Sequence, residues 1–465
     1  MSVVAGIAGT ELGKDAVAIR TPEDAVSARS RVEHLLKRSL TADGAVQIAL
    51  LNNRGLQAAY NELGVAEALM VEASLPPNPQ FTLQEIGGIA EFEIERRIIT
   101  NILALATLPA RAAIAADRFH QAQLHAAEET LRLAAETRRH YLRAVAAREL
   151  VGFLTQANAS AEAAAKLGRA LGETGAMNKL DQAREQVFYA DLTTQLARAR
   201  QRALSARERL IHSLGLWGSD LDFKLASALP APPARPRSWP MVERNAIERR
   251  VDLQIGRLEL LALAKSYGLT QASRFVNLLE LTGIEEIIQE KITPEKIFQE
   301  EEKTLAARIR NRGYRVAFEI PIFDFGEARV RKAEQAYMIA ANRLAQRAVA
   351  VRSEARATYQ LYRSTYDIAA HYQREVLPLR KIISDESLRQ YNTMQIDVFP
   401  LLDEARRRVL ATSAAIEAKR DFWLATTDLQ VALLGGGGAP GEPNPAAELE
   451  QLNALQPGIT EETKR

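Results

Sequence analysis

Two stretches of the chain carry apolar or small residues at steps of three, four and seven, the spacing of one helix face. In the first, Arg111 to about Leu171, the seam is Leu124, Ala127, Leu131, Ala134, Tyr141 and Val145. This stretch has no Pro and two Gly, and strong helix formers fill it, so it predicts one helix approaching ~90 Å. In the second, Ala328 to Val376, the seam is Tyr337, Ala340, Leu344, Val351, Ala355, Tyr359, Tyr362, Tyr366 and Ala369. Small residues on a seam let helices approach closely. An antiparallel coiled coil accounts for these helices and leaves a second pattern unexplained.

That second pattern has a period of two. Tyr314, Val316, Phe318, Ile320 and Ile322 alternate with Arg315, Ala317, Glu319 and Pro321, giving a strand with one apolar face. Three further extended segments are expected, near Phe81-Thr82-Leu83, from Phe92 to Ala106, and from Val276 to Leu281. The Phe92 segment is less regular, because Phe92, Ile94 and Ile98 share their face with Arg96. The segment from Ile284 to Arg312 reads as a surface loop: Glu285, Glu286, Glu290, Lys291, Glu295, Lys296 and the run Glu300 to Lys303 are too charged to face lipid. Four strands cannot close a barrel. Several chains each giving four could, with the apolar face toward lipid and the polar face toward water.

The elements recur. Ala49-Leu50 with Leu56 matches Ala246-Ile247 with Leu253, 197 positions on, and Leu108-Pro109 stands where Phe325-Gly326 stands 217 positions on. Each copy reads as helix, strand, strand, very long helix, turn, helix. The expected organisation is an N-terminal segment (1–39), a first repeat (40–214), a Pro-rich linker (229–240), a second repeat (241–434) and a disordered Pro-, Gly- and Glu-rich tail (435–465).

Composition then removes function classes. Among 465 residues, 60 Lys+Arg against 58 Asp+Glu leave a net charge of +2, without the basic excess of a nucleic-acid binder. Cys is absent, which excludes disulfides, thiolate zinc sites and cysteine nucleophiles. The six His are scattered, and His120 and His125, five apart, do not share a helix face. No phosphate loop, nucleophile elbow or paired-carboxylate cleft is written in, so neither an enzyme nor a cofactor or metal is expected. No apolar run reaches about 18 residues, and Met1 to Arg20 lacks the apolar core of a signal peptide.

Several short motifs occur in a characteristic order over roughly residues 40 to 434. They are Leu40-Thr41 with Ala45-Val46 and Ile48-Ala49-Leu50-Leu51-Asn52-Asn53; Pro77-Asn78-Pro79 before the first strand; Ile320-Pro321-Ile322-Phe323-Asp324-Phe325-Gly326 before the second long helix; Val376-Leu377-Pro378; and the turn segments Gly175 to Ala183 and Leu401-Leu402-Asp403-Glu404-Ala405. In this order and duplication the chain resembles the TolC-like outer membrane efflux proteins. The resemblance implies a mainly α fold with a small β part: long α-helical barrel hairpins plus four transmembrane β-strands per chain, closing as a homotrimer into an α/β-barrel duct. It implies an outer membrane channel reaching into the periplasm, the passive exit of a tripartite pump docked to a periplasmic adaptor and an inner membrane transporter. The alternative is a soluble coiled-coil scaffold or an adaptor protein.

The resemblance also implies a periplasmic gate. Asp181 and Tyr391 stand at positions where members link their two helical turns, and Asp403 at a pore-carboxylate position. A second carboxylate position is occupied by Pro400, a basic position by Ile396, and the usual turn Gly by Met394. For Asp181 and Asp403 the alternative role is helix capping, and for Tyr391 plain packing.

Overall fold

The computed structural model describes residues 1–87, 91–175, 177–276, 278–292, 305–396 and 398–436. Helix α1 (Ser2–Ile7) is followed by α2 (Pro22–Leu36), which opens on a capping box. Thr21 Oγ1 accepts from the Asp24 N–H at 3.2 Å, and Asp24 accepts from the Thr21 N–H at 3.0 Å. Helix α3 (Ala42–Asn52) is capped by Thr41, and α4 (Arg54–Ser74) starts at a break where Asn53 Oδ1 accepts from Leu56 N–H at 3.1 Å.

Strands β1 (Gln80–Gly87) and β2 (Glu91–Asn101) follow, then the short α5 (Ile102–Ala106) and α6 (Leu108–Glu173). At 66 residues, α6 is about 100 Å long at ~1.5 Å per residue. Helix α7 (Lys179–Leu214) returns along it. The same order then recurs: α8 (Val242–Arg249), α9 (Val251–Ala272), β3 (Leu278–Ile292), β4 (Leu305–Glu319), α10 (Glu327–His371), α11 (Leu377–Asn392) and α12 (Val398–Leu434). A π turn, Tyr372–Val376, joins α10 to α11 just before Pro378, whose ring nitrogen has no proton to keep the ordinary helix ladder going.

The two α6 and α10 seams bury the residues their spacing selects. Leu124, Ala127, Leu131, Ala134, Tyr141 and Val145 are all buried on α6, as are Ala340, Val351, Ala355, Tyr362, Tyr366 and Ala369 on α10. Tyr337, Leu344 and Tyr359 are only half-buried. Tyr362 and Tyr366 each lie 5.7 Å from the ring of Phe422 on α12. Ion pairs tie α6 to α12: Arg139 Nε to Asp428 at 2.7 Å and Glu149 to Lys419 Nζ at 2.6 Å.

The helix breaks at Asn53 and Arg250 are 197 residues apart and do the same work. Both have an extended ψ, 117° and 127°. Asn52 Nδ2 donates to the carbonyls of Leu214 (3.2 Å) and Gly215 (2.7 Å), and Asn53 Nδ2 to Ser213 (3.1 Å), satisfying oxygens at the end of α7. Arg250 Nη1 reaches the Ala432 carbonyl near the end of α12 at 3.3 Å. The guanidinium is 1% exposed, pairs with Asp252 at 2.8 Å and Glu354 at 2.6 Å, and so joins α8–α9, α10 and α12.

The Pro-rich segment between α7 and α8 lies against the helices. Tyr366 Oη donates to the Pro233 and Ala234 carbonyls (3.0 and 2.9 Å), and Trp423 Nε1 to Pro230 (2.9 Å).

Three expected boundaries are corrected. The charged segment from Ile284 to Arg312 is not one loop: β3 continues to Ile292 and β4 begins at Leu305, because cross-strand pairs such as Glu285 with Arg312 and Glu286 with Asn311 let polar residues stay in a ladder. Residues 293–304, with the densest charge, lie outside the described residues, as does the expected tail from 437 onward. The Phe92 segment ends at Asn101 rather than Ala106, since Asn101 Oδ1 caps Ala104 N–H at 2.8 Å and the Leu/Ala run turns helical. β4 ends at Glu319, before Pro321, which has no N–H to give a neighbouring strand.

Candidate functional site

The four strands form one antiparallel sheet in the order β1-β2-β3-β4, so both outer strands have an open edge within the chain. The register decides what each face carries. Phe81 pairs with Ile98, Ile98 with Gly283 and Gly283 with Tyr314; one step along, Leu281 faces Val316 and Leu279 faces Phe318. Alternation therefore gathers Phe81, Leu83, Ile98, Leu281, Tyr314, Val316 and Phe318 on one face, and all seven are exposed. The opposite face carries Thr82, Gln84, Glu93, Glu95, Arg97, Glu280, Thr282, Arg315 and Glu319, interspersed with Ile86, Ile99, Ile284, Ile288 and Ile309. An exposed contiguous apolar face on a chain whose helical seams are buried is a surface built to be covered.

At the far end of the molecule are two helix turns. Asn178 caps α7: its Oδ1 accepts from Asp181 N–H at 2.8 Å, its Nδ2 donates to Asp181 at 2.7 Å, and Arg184 Nη1 pairs with Asp181 at 3.1 Å. Asp181 is thus held within its own first turn, where a carboxylate also complements the helix dipole. Tyr391 lies in the last turn of α11 and is half-exposed. Asp403, in the second turn of α12, pairs with Arg407 on the same helix at 2.9 Å. Among the described residues of one chain, no hydrogen bond joins Asp181 to Tyr391. Met394 occupies the turn after α11 with φ 60° and is 94% exposed, a left-handed conformation that glycine would adopt more cheaply.

The contacts that do cross between the two turns come from residues the motif comparison does not single out. Arg406 on α12 donates to the Arg184 carbonyl on α7 (2.9 Å), lies 3.4 Å from Glu185 and covers the Phe188 ring at 4.8 Å. Arg184 in turn covers Phe399 at 4.9 Å. A second pair, Arg380 with Glu404 at 2.9 Å, ties α11 to α12. Glu185 and Glu404 are both buried, and Glu185 Oε2, Glu404 Oε1 and Arg406 Nε have no hydrogen-bond partner among the described residues. Burial raises the Glu185 carboxyl above its ordinary value against the pull of Arg406, with Asp181 adding to the rise. A visible sequence signal exists only for this last group: Glu185 and Phe188 are three apart on one α7 face.

No family model and no curated relative matches the chain. Solved structures do. CusC, described as undergoing conformational changes that accompany folding and transmembrane channel formation, is 17% identical, with a TM-score of 0.69 over 88% of this chain and 92% of its own. The outer membrane channel CmeC of Campylobacter jejuni is 14% identical, with a TM-score of 0.64 over 95% and 94%. MtrE of Neisseria gonorrhoeae, an outer membrane channel in its open state, is 13% identical, with a TM-score of 0.67 over 87% and 89%.

The chain has the TolC-like fold. The four-stranded sheet is the β part of that fold and the α6–α7 and α10–α12 hairpins are its helical part. The likeness spans 87% to 95% of this chain and 89% to 94% of the matched chains.

Proposed function

We propose that this TolC-like chain is the outer membrane channel of a tripartite efflux pump, a passive exit duct. Three copies close twelve strands into a barrel, and the helices extend the duct into the periplasm toward an adaptor protein and an inner membrane transporter. The observation that carries this is the sheet: an apolar band exposed on one face at its Tyr314–Phe318 end, mostly polar residues behind that band, and two open edges. A soluble scaffold or adaptor would have no use for that face, whereas symmetry closes the edges and lipid covers the apolar side.

The protein is therefore expected to need detergent and to elute as a trimer in light scattering with the detergent mass subtracted. A monodisperse monomer in plain buffer would overturn the proposal. Reconstituted in a planar bilayer, the trimer should conduct ions.

The helix turns are proposed to form its periplasmic gate, with Asp181, Tyr391 and Asp403 contributing. Three copies of Asp403 around a narrow opening would attract cations. Asp403→Asn should lower the cation-to-anion permeability ratio severalfold, read as a reversal-potential shift in a salt gradient, with the trimer intact. An unchanged reversal potential would take Asp403 off the pore and leave it as the Arg407 partner.

A further inference from the structure

If the apolar sheet face meets lipid, as proposed above, the same face carries a site for the lipid headgroup. Beyond Tyr314 the side chains on this face of β4 change from apolar to basic: Arg312 stands opposite Glu285, Arg310 opposite Ile287 and Arg308 opposite Gln289. Three guanidiniums thus follow one another at every second residue. Strand β2 adds Arg96, also opposite Glu285. Glu285 accepts from Arg96 Nη1 (3.4 Å), Arg310 Nε (2.7 Å) and Arg312 Nε (3.0 Å), while Glu85 on β1 stands opposite Ile94 in the next row. Among the described side chains of this column, four guanidiniums against two carboxylates leave two positive charges. The side chains of Arg96, Arg310 and Arg312 remain 47%, 53% and 68% exposed.

The position of the column matters as much as its charge. Arg312 is six residues from Phe318, ~20 Å along an extended strand, and the exposed Ile320, Ile322 and Phe323 continue the apolar surface at the other end. A transmembrane barrel presents an apolar band of ~25 Å, bordered by aromatic residues, beyond which arginine costs about 0–1 kcal/mol. Tyr314, 81% exposed, is the aromatic at this border, so the arginines begin at headgroup level. One carboxylate cannot occupy the donors of three guanidiniums, whose planar forks suit phosphate.

We propose that Arg308, Arg310 and Arg312, with Arg96, bind the phosphate groups of a phosphorylated glycolipid of the lipid A type, its acyl chains lying over Val316, Phe318 and Leu281. Continuity of the basic column with the apolar band favours a lipid over a soluble anion, because one ligand then covers both surfaces.

Native mass spectrometry of the detergent-solubilised trimer, titrated with bisphosphorylated lipid A, tests this. The variant Arg308→Gln/Arg310→Gln/Arg312→Gln is combined with Glu285→Gln so that no carboxylate is stranded. At roughly 5-fold per net charge near a charged surface, losing three arginines and one carboxylate should weaken binding on the order of 25-fold. Dephosphorylated lipid A should bind the wild type as weakly as it binds the variant, and the triple Lys replacement should lose less than the Gln variant. If the Gln variant does not assemble, the Lys variant and the dephosphorylated lipid decide. Equal binding of phosphorylated and dephosphorylated lipid A, or a variant binding like wild type, would overturn the site. Displacement of the lipid by stoichiometric inorganic pyrophosphate would show that the column takes a soluble anion, which also overturns it. A wild-type chain that is a soluble monomer without detergent would instead defeat the barrel reading beneath it.

Discussion

Arg250→Ala should lower the stability of the helical part by about 3–5 kcal/mol, the usual cost of removing one partner of a buried ion pair. The guanidinium holds Asp252, Glu354 and the Ala432 carbonyl at once, and its loss strands a buried carboxylate and an unsatisfied helix-end oxygen in one step. Arg347 Nε, 2.9 Å from Asp252, keeps one cation beside that carboxylate and limits the damage. Loss of helical circular dichroism on heating or in denaturant measures the effect, and a change under about 1 kcal/mol would show that Arg347 suffices. The network also has a pH sign. Burial alone would raise the Asp252 carboxyl, but Arg250 and Arg347 outweigh it and hold the carboxyl below its ordinary value. The unfolded chain therefore binds the proton more readily. This contribution is complete above the ordinary carboxylate value and is lost as pH falls below it through the depressed one.

The sequence exposes the helices more clearly than the strands, for a physical reason. A heptad seam such as Leu124 to Val145 repeats over many turns, and each buried position agrees with the next. The β4 strand announces itself only where its apolar residues alternate, between Tyr314 and Phe318. Beyond Tyr314 the same strand continues through Arg312, Arg310 and Arg308, and Glu285 accepts from the first two across the ladder, so exposed charge sits in a strand without burial. Charge density in isolation therefore looks like a loop, and only the register shows the ladder. The turn region divides the same way. Asp181 is conspicuous beside Asn178, yet its partners are local. Arg406 and Glu185 lie 221 positions apart on separate hairpins, and no local pattern pairs them.

The largest functional effect is expected at that distant pair. Arg406→Ala removes the donor to the Arg184 carbonyl, the cover over Phe188 and the cation beside buried Glu185, so the join between α7 and α12 should weaken by about 3–5 kcal/mol per chain. If the proposed gate opens by parting α7 from α12, these contacts are lost, and the change biases the tip toward open states. Single-channel conductance in planar bilayers should rise, with trimer mass unchanged. The proposed Asp181–Tyr391 link, a hydrogen bond to a charged group, is worth about 1.5–3 kcal/mol where it forms. Asp181→Ala with Tyr391→Phe should therefore open the tip less than Arg406→Ala does. A double variant that conducts like wild type would leave Asp181 as the side-chain partner of the Asn178 cap. Acid should act in the opposite direction to Arg406→Ala. Burial raises Glu185 where α7 and α12 are joined, Arg406 opposes and Asp181 assists, so the joined form, the closed one under the proposed gate, binds a proton more tightly than a form in which Glu185 meets water. Closure therefore gains as pH falls through the raised value toward the ordinary one, and conductance should fall over that window. Glu185→Gln should remove this pH response while keeping the tip closed at neutral pH; a response that survives the substitution would place the titrating group elsewhere.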